Sequence, residues 1–390
     1  YRLSNFLEGT GANLRLTLNP PFFTESNVTY DGNAPGRITT GFTDVIARGD
    51  LTSPRATPTS APFYQGRAWD LNLRPQMTNQ FNFAIERQLD ASTNVNFAYV
   101  GQRGTHLVIP HEGNNPLPGV GDPTTWAPIN DRRPLFRQLP NVGNIALTES
   151  SGTSWYNALQ ISGRRRMSGG IEMLFQYTYS KTNTDGLGYY GCGGVNAEGA
   201  YWQDANNRRG NYGPACFDVR QNFTTAGVFN VPFGKGKKFG SSSNKIVDAF
   251  LGGWNLNYNL AKRGGFPVTV TASTQNTNSL QSPRGNARAN RYRDYTEPTV
   301  RTVDRWFGDV TASSFCAAGV DNGTCAYGIP ALGRFGSSGV GTERAPGFFN
   351  LDTSIGKRFS ITEKQTLEFK AEMFNLLNYV SWGAPGRDIT

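Results

Sequence analysis

Side chains that could carry acid–base or metal chemistry are few in this chain, and their spacing matches no catalytic signature. The two histidines, His106 and His111, lie on either side of Pro110 in a segment predicted to be a loop, and their spacing fits no zinc signature. Glu368 and Glu372 are four residues apart, which on a strand puts both carboxylates on one face, as expected of a polar stripe lining a lumen. We therefore predict no enzymatic activity, no catalytic residue, no metal site and no cofactor.

A basic, glycine-rich segment superficially resembles a phosphate-binding loop. It contains Gly234, Lys235, Gly236, Lys237, Lys238 and Gly240. The GxxxxGK[ST] spacing of phosphate-binding loops is absent, so we do not predict phosphate binding there. Over the whole chain, 38 Lys and Arg against 29 Asp and Glu give a net charge of +9. Because no nucleic-acid recognition motif accompanies this charge, we predict no nucleic-acid partner and expect the cations in solvated loops and at strand ends near anionic headgroups.

The four cysteines form two local pairs, Cys192 with Cys216 and Cys316 with Cys325. None of them belongs to a CxxC motif, and both pairs lie in segments rich in glycine and asparagine. Two local pairs of this kind indicate disulfides formed in an oxidising compartment. The alternative is four free thiols in a cytosolic protein, and we favour the disulfides.

The clearest structural signal is the alternation of apolar and polar residues in Gln80–His106, interrupted by a short polar break at Asp90–Ser92. Alternation of period two predicts strands with two unlike faces, and the break predicts a hairpin turn. Each arm is about ten residues long, which suits a tilted strand that crosses an outer membrane. No run of about 18 apolar residues occurs, so we do not expect a membrane-spanning helix.

The same alternation recurs along the rest of the chain. The further predicted strands are Ser154–Arg165, Ile171–Ser180, Val219–Val231, Trp254–Ala261, Phe348–Phe359 and Gln365–Leu376. Short turns are predicted near Asp90, Ser168 and Thr362, with a medium connection at 232–252. Long loops are predicted at 102–153, 182–217 and 263–346, and the cysteine pairs fall in the last two. Short connections on one side and long ones on the other are the layout of outer-membrane barrels, whereas a soluble β-sandwich has no reason to sort its loops.

In this order the segments resemble the C-terminal barrel portion of Oar-like TonB-dependent outer-membrane receptors, which carry a carboxypeptidase-regulatory-like N-terminal domain. The residues that carry the resemblance are Gln80–Leu89, Tyr99–His106, Tyr156–Gln160, Phe233–Gly236, Gly252–Trp254 and Phe348–Asn378. The resemblance implies an all-β fold, an antiparallel transmembrane β-barrel in the bacterial outer membrane. Of a larger TonB-dependent-type barrel, this chain would supply roughly nine or ten strands with long extracellular loops.

The pattern of residues also divides the chain. Residues 1–79 are predicted to be an irregular, loop-rich barrel segment, and residues 80–390 are predicted to contain the antiparallel strands and long loops. The plug domain, the TonB-contacting segment and the closing strand with a terminal aromatic residue are not recognisable. We therefore expect a portion of a larger receptor.

The resemblance further implies ligand binding by the extracellular loops and plug-gated transport. The partners would be a TonB-type energy-transducing protein, outer-membrane lipid and lipopolysaccharide, and an unknown large ligand. The alternative is a non-transporting structural or adhesive β protein of the cell surface. A third possibility, a soluble secreted β-sandwich enzyme, is disfavoured because acid, base and nucleophile groups do not converge.

If the chain forms a barrel wall, the opening hairpin acquires an orientation. The turn at Asp90–Ser92 should be periplasmic, and Gly104–His106 should lie at the outer rim. The side chains expected to face lipid are Phe81, Phe83, Ile85, Val95, Phe97 and Tyr99. Those expected to face the lumen are Asn82, Glu86, Asn94, Asn96, Glu368 and Glu372.

Overall fold

The computed structural model describes residues 64–140, 142–187, 191–192, 201–272, 287–294, 301–302, 306–307, 315–361 and 365–389. Most of the segment predicted to be irregular, and part of the last predicted turn, lie outside these residues. The strands are β1 (Tyr64–Trp69), β2 (Met77–Asp90), β3 (Thr93–Glu112), β4 (Val142–Ser168), β5 (Ile171–Thr184), β6 (Gly213–Pro214), β7 (Gln221–Asn230), β8 (Trp254–Arg263), β9 (Pro267–Val268), β10 (Asn290–Arg291), β11 (Phe315–Cys316), β12 (Tyr327–Gly328), β13 (Glu343–Arg344), β14 (Phe348–Ser360) and β15 (Thr366–Met373).

Helical structure is slight in the described residues. It comprises one α-helix, α1 (Lys245–Leu251), and two short 3-10 turns at Pro123–Thr125 and Arg209–Asn211. The Asn244 side chain caps α1 by accepting hydrogen bonds from the next N–H groups of its first turn, as asparagine commonly does at this position. None of the described helices is long and apolar enough to span a membrane.

Ten strands form one sheet, whose eight long members follow the order β2–β3–β4–β5–β7–β8–β14–β15. Neighbours in this order are antiparallel. β1 joins β4 in parallel, and β6 joins the end of β5. The sheet thus has the predicted antiparallel all-β architecture and about the predicted number of strands. In the part of the chain that the structure describes, β2 and β15 are its edges.

Two tight turns set the register of the first four long strands. At the end of β2 the Asp90 carboxylate accepts hydrogen bonds from the backbone N–H and the hydroxyl of Ser92, each at 2.7 Å. Between β4 and β5, Gly169 and Gly170 have φ of 61° and 84°. Both residues must be left-handed in a type I′ hairpin turn, which is why glycine occupies them. Because the side-chain period of a strand is two, these turns also decide which residues share a face.

The register places most of the large apolar side chains of the eight long strands on one face, called here the apolar face. Tyr99 lies opposite Phe83 on one side and Leu159 on the other, for example. The apolar face includes Phe81, Phe83, Ile85, Val95, Phe97, Tyr99, Leu159, Ile161, Phe175, Tyr177, Phe223, Phe229, Leu256, Leu260, Leu351, Ile355, Leu367 and Phe369.

The opposite side of the sheet, called here the polar face, carries amides, hydroxyls and charged groups. Its members include Asn82, Glu86, Asn94, Asn96, Gln160, Ser162, Gln176, Thr178, Asn222, Thr224, Asn257, Asn259, Asp352, Ser354, Glu368 and Glu372. The sequence-based grouping of residues into two faces therefore matches the strand pairing. That the two faces meet lipid and lumen remains a prediction.

The predicted long loop at 102–153 is wrong over much of its length. β3 continues to Glu112 and β4 begins at Val142, so the connection between the two strands is 113–141. At about 3.3 Å per residue, the 27 residues of β4 extend for about 90 Å. A tilted membrane crossing needs only about ten residues, so β3 and β4 project well beyond it.

A bulge marks the point where β3 changes character. The register with β4 shifts between Gly104 and Leu107, and His106 within this step has a φ of 54°. This non-glycine residue in the left-handed region interrupts the period-two pattern. Beyond the bulge β3 becomes buried, and Ile109 is only 1% exposed. The sequence-based prediction missed the part of β3 beyond the bulge, because the bulge shifts the alternation of apolar and polar residues relative to the first part of the strand.

The buried apolar cluster lies among the long connections rather than on the sheet. It consists of Val270, Ala272, Ala289, Tyr327 and Ile389. The apolar face of the sheet is uncovered by contrast, with Phe83 66% exposed and Phe369 55% exposed. A contiguous apolar surface across eight strands is stable only against another apolar phase.

Candidate ligand-binding loop assembly

The connections are sorted by length to the two ends of the sheet. One end, called here the short-turn end, carries the turns after β2, β4 and β14 and the medium connection 231–253. The other end carries the long connections 113–141, 185–220 and 264–347 and the segment 374–389 that follows β15. The described residues of these four segments are called here the loop assembly.

Two disulfides staple the loop assembly. Cys192 is joined to Cys216 across 24 residues and Cys316 to Cys325 across nine. Both bonds have the local pairing predicted from the sequence. Asp321 lies near the second disulfide and completes a group of potential metal ligands. Metal binding by cysteine requires the thiolate, so the disulfide removes two of those three ligands.

Asp218 is the most completely buried acidic residue of the loop assembly, with 0% exposure. Its carboxylate accepts hydrogen bonds from Arg344 Nη2 at 2.7 Å, Arg220 Nε at 3.1 Å and the backbone N–H of Thr182 at 2.6 Å. Arg344 lies in β13, Arg220 lies directly before β7, and Thr182 lies in β5. One carboxylate therefore ties the connection 264–347 to the end of the sheet.

Asp185 forms a second buried carboxylate junction at the end of β5. It accepts hydrogen bonds from Thr153 N at 2.6 Å and from Thr153 Oγ1 at 3.0 Å. The guanidinium of Arg208 lies 2.5 Å from the same carboxylate, and Trp202 Nε1 donates to the Asp185 carbonyl. Trp202 in turn packs edge-on against His111 of β3, with ring centroids 5.4 Å apart.

Gln203 links connections that are distant in the sequence. Its Nε2 donates to the Gly336 carbonyl at 3.0 Å, and its Oε1 accepts from the Arg288 backbone N–H at 2.6 Å. Arg288 also donates from Nη1 to the Gly210 carbonyl at 2.7 Å. A buried amide that donates to one part of the connection 264–347 and accepts from another fixes both parts against the connection 185–220, because losing either bond would leave a buried polar atom unsatisfied.

Tyr327, Glu343 and Arg291 form a polar group beside the buried apolar cluster. The Tyr327 hydroxyl donates to Glu343 Oε1, and Arg291 Nε lies 3.7 Å from the same oxygen. Burial raises the pKa of Tyr327 above its usual value of 10.0, and the hydrogen bond to Glu343 raises it further. The phenol is therefore a stable hydrogen-bond donor at every physiological pH.

Asn114 holds the connection 113–141 against the start of β4. The side chain is fully buried, and its Nδ2 donates to the Gly143 carbonyl at 2.7 Å. Its Oδ1 accepts from the Leu135 N–H at 3.1 Å, and its carbonyl accepts from Arg133 Nη1 at 2.6 Å. Burial lowers the pKa of Arg133, but the guanidinium remains a cation because arginine ionises so far above neutrality.

The two histidines singled out in the sequence both lie in β3 and contact groups that belong to the fold. His106 occupies the bulge of β3. His111 Nδ1 lies 3.7 Å from Glu149 Oε1, and its ring contacts Trp202. These partners belong to the sheet extension and the connection packed against it.

The acidic residues predicted on the polar face are paired with basic or amide groups. Glu372 accepts a hydrogen bond from Lys370, and Glu368 lies 3.4 Å from Arg358. Glu86 accepts from Asn94 Nδ2 at 3.0 Å. The predicted lumen-facing residues thus form local cross-strand and same-strand pairs on one surface rather than one convergent cluster.

Sequence reasoning missed the residues that organise the loop assembly, namely Asp185, Gln203, Asp218 and Glu343. They lie in segments rich in glycine and asparagine, where no periodicity shows which side chains will be buried. The one local signal is the position of Asp218 between Cys216 and the first residue of β7. Their partners come from connections up to 133 residues away, so the clusters exist only after folding.

No curated protein matches the sequence. Among solved structures, the chain is similar to the outer membrane transporter YddB from Escherichia coli, with a TM-score of 0.38 and 9% identity. That similarity covers 82% of this chain and only 31% of the transporter structure.

The family model described as outer membrane beta barrel domain matches residues 4–390, nearly the whole sequence. This match agrees with the antiparallel sheet, its exposed apolar face and the sorting of its connections. The chain therefore belongs to the outer membrane beta barrel domain family, and its location is the outer membrane.

Proposed function

We propose that the chain is the barrel portion of a TonB-dependent receptor that moves a large ligand across the outer membrane. The loop assembly would bind the ligand at the cell surface, and the polar face of the sheet would line its path. A plug domain would gate the path, and a TonB-type protein would supply the energy. The observation that carries this proposal is the concentration of long, disulfide-stapled connections at one end of the sheet.

The internal bonding of the loop assembly supports binding as its role. Buried junctions at Asp185, Gln203 and Asp218 hold the long connections to one another and to the sheet. Because ordering loops costs conformational entropy, connections that are ordered before the ligand arrives bind it more tightly.

We also propose that the chain carries out no bond chemistry. The buried carboxylates of Asp185 and Asp218 are occupied by arginine and backbone donors. Those of Glu368 and Glu372 on the polar face are paired with Arg358 and Lys370. Carboxylates held in this way position loops and strands, and an acid–base catalyst would need an oxygen free to reach a substrate.

Comparing two deletion strains of the source bacterium separates transport from a structural or adhesive role. One strain lacks the gene for this protein, and the other lacks the TonB-type protein. Transport predicts that both strains show the same nutrient-dependent growth defect. Complementation with the wild-type gene should restore growth only in cells that retain the TonB-type protein.

A different pattern would contradict the proposal. If deleting this gene reduces attachment to surfaces or to other cells, while deleting the TonB-type protein leaves attachment unchanged, the adhesive alternative is correct. Chemical cross-linking of the full-length protein to the TonB-type protein in living cells gives an independent measurement. Transport predicts a specific adduct, and its absence from cells that contain both proteins would also count against transport.

A further inference from the structure

The connection between β7 and β8 carries an apolar helix surface that no part of the described chain covers. In α1, Ile246 is 72% exposed, Phe250 73% and Leu251 53%. This helix is seven residues long and lies at the short-turn end of the sheet. Large apolar side chains so exposed on a short helix are unstable in water.

Hydrogen bonds place α1 on the apolar side of the sheet. Trp254 Nε1 donates to the Phe250 carbonyl at 2.9 Å, and Lys357 Nζ donates to the carbonyls of Phe250 and Gly252 at 3.2 and 2.6 Å. Trp254 and Lys357 are a cross-strand pair of β8 and β14, and they share the parity of Leu256 and Ile355. The end of α1 is therefore attached to the apolar face rather than to the polar face.

Lys357 is a cation at the short-turn end of the apolar face, and its environment explains how it is accommodated. Its ammonium lies 4.6 Å from the Trp254 ring centroid and 4.9 Å from that of Phe359. With the carbonyls of Phe250 in α1 and of Gly252 just after it as acceptors, the charge is directed toward the short-turn end, as lysines near a membrane boundary commonly are. The boundary of the apolar band therefore falls near Trp254 and α1.

The same connection carries positive charge next to exposed aromatic rings. Lys235, Lys237 and Lys238 are exposed, and Lys238 lies 5.5 Å from the Phe239 ring centroid. Phe233 and Phe239 contact each other at 5.3 Å. With Lys245 and Asp248, residues 232–252 contain four lysines and one aspartate, a net charge of +3.

We propose that residues 232–252 bind the anionic phospholipid surface of the periplasmic leaflet. Ile246, Phe250 and Leu251 enter the boundary between headgroups and acyl chains, and the lysines contact lipid phosphates. An apolar helix face next to a lysine cluster is the composition of interfacial membrane anchors. The periplasmic leaflet is the one concerned because the short turns of outer-membrane barrels are periplasmic.

Hydrogen exchange of the full-length protein in lipid nanodiscs tests the proposal. The amides of 244–252 are compared in discs of phosphatidylcholine alone and in discs that also contain phosphatidylglycerol. We expect at least about tenfold slower exchange with the anionic lipid, because each lysine near such a surface contributes attraction. A glutamine variant that combines Lys235→Gln, Lys237→Gln and Lys238→Gln should abolish that difference between the discs. The corresponding variant with three arginine substitutions should preserve it.

The apolar contribution has its own variants. Ile246→Ser with Phe250→Ser should remove the protection in both kinds of disc. The matched control is Leu71→Ser with Val120→Ser, which changes two exposed apolar residues at the opposite end of the sheet and should leave the exchange of 244–252 unchanged. Equal exchange of the wild type in the two discs overturns the proposal, as does a difference between the discs that survives the glutamine variant.

Discussion

At the scale of single residues, the loop assembly is held by a few buried polar side chains, each with partners from distant segments. Asp218 contacts arginines from two elements and a backbone N–H of β5. Gln203 joins segments 133 residues apart. Such residues keep long polar connections ordered where apolar side chains are scarce.

Replacing Asp218 by asparagine should loosen the loop assembly. The amide keeps the size of the carboxylate but removes the charge that Arg220 and Arg344 face. We expect a loss of about 1–3 kcal/mol in the free energy of unfolding and faster proteolysis of 185–220 and 264–347. The control is Asp294→Asn, because Asp294 is 88% exposed and exposed ion pairs contribute little. Equal protease resistance of the two variants would contradict the role given to Asp218.

The Tyr327 hydroxyl should make the loop assembly sensitive to alkaline pH. The pKa of Tyr327 is raised in the folded protein above the ordinary tyrosine value of 10.0. The contribution of its hydroxyl to the free energy of unfolding is therefore complete below pH 10. As the pH rises above 10, the phenol of the unfolded chain ionises first, so this contribution is progressively lost. A spectrophotometric titration of wild type minus Tyr327→Phe should therefore show one tyrosinate that forms only well above pH 10. A difference curve centred at the ordinary pKa of tyrosine would show that the Tyr327 hydroxyl is not a buried hydrogen-bond donor.

At the scale of elements, aromatic rings on the apolar face lie across glycines of the neighbouring strand. Phe81 covers Gly101, Phe175 covers Gly163, and each pair is in direct cross-strand register. A Cβ built at either glycine would overlap the ring opposite it. These glycines leave space for a ring to lie flat across the strand, and the close contact stabilises the pairing.

Gly163→Val should therefore weaken the pairing of β4 with β5. The new side chain displaces the Phe175 ring, and such overpacking costs about 1–3 kcal/mol. The expected result is a lower midpoint of urea unfolding in detergent or bilayers. Gly383→Ala serves as the control, because a Cβ there meets nothing within 4 Å. If Gly163→Val and Gly383→Ala unfold at the same denaturant concentration, the packing of the Phe175 ring against Gly163 does not contribute to stability.

At the scale of the whole molecule, the two faces of the sheet determine how the chain sits in the membrane. The apolar face continues across eight strands, and the loop assembly and the short-turn end mark its two boundaries. Along β8 the residues of the apolar face run from Trp254 to Lys262, nine residues whose eight intervals span about 26 Å of strand. After allowance for tilt, this length is close to the apolar band of outer-membrane barrels.

Adjacent residues of β3 provide a direct test of this placement. Phe97→Lys puts a cation on the apolar face, and its expected cost is about 2–4 kcal/mol near the middle of a bilayer. Asn96→Lys puts the same charge on the polar face and should fold normally. Folding yield into phospholipid vesicles, read as heat-modifiable migration on gels, measures both. A normal yield for Phe97→Lys together with a reduced yield for Asn96→Lys would reverse the assignment of the faces.

Much of the sheet could be predicted from the sequence because strand periodicity is a local property. Alternation in Gln80–Leu89 and Trp254–Ala261 identified both the strands and the residues that share a face. The turns at Asp90 and Gly169 were visible as short polar breaks. Both disulfide pairs could be predicted because their cysteines are close in the sequence.

The outward extension of β3 and β4 and the buried junctions of the loop assembly were decided only by the tertiary structure. The extension was hidden by the bulge at His106, which shifts the phase of the pattern. Asp218 and Gln203 acquire their roles from partners that lie far away in the sequence. The sequence by itself thus determined the two-faced wall and its location in the outer membrane, because the alternation of apolar and polar residues is a local property of each strand. Only folding could decide how the loops close on one another, because buried polar contacts between distant segments leave no periodic pattern.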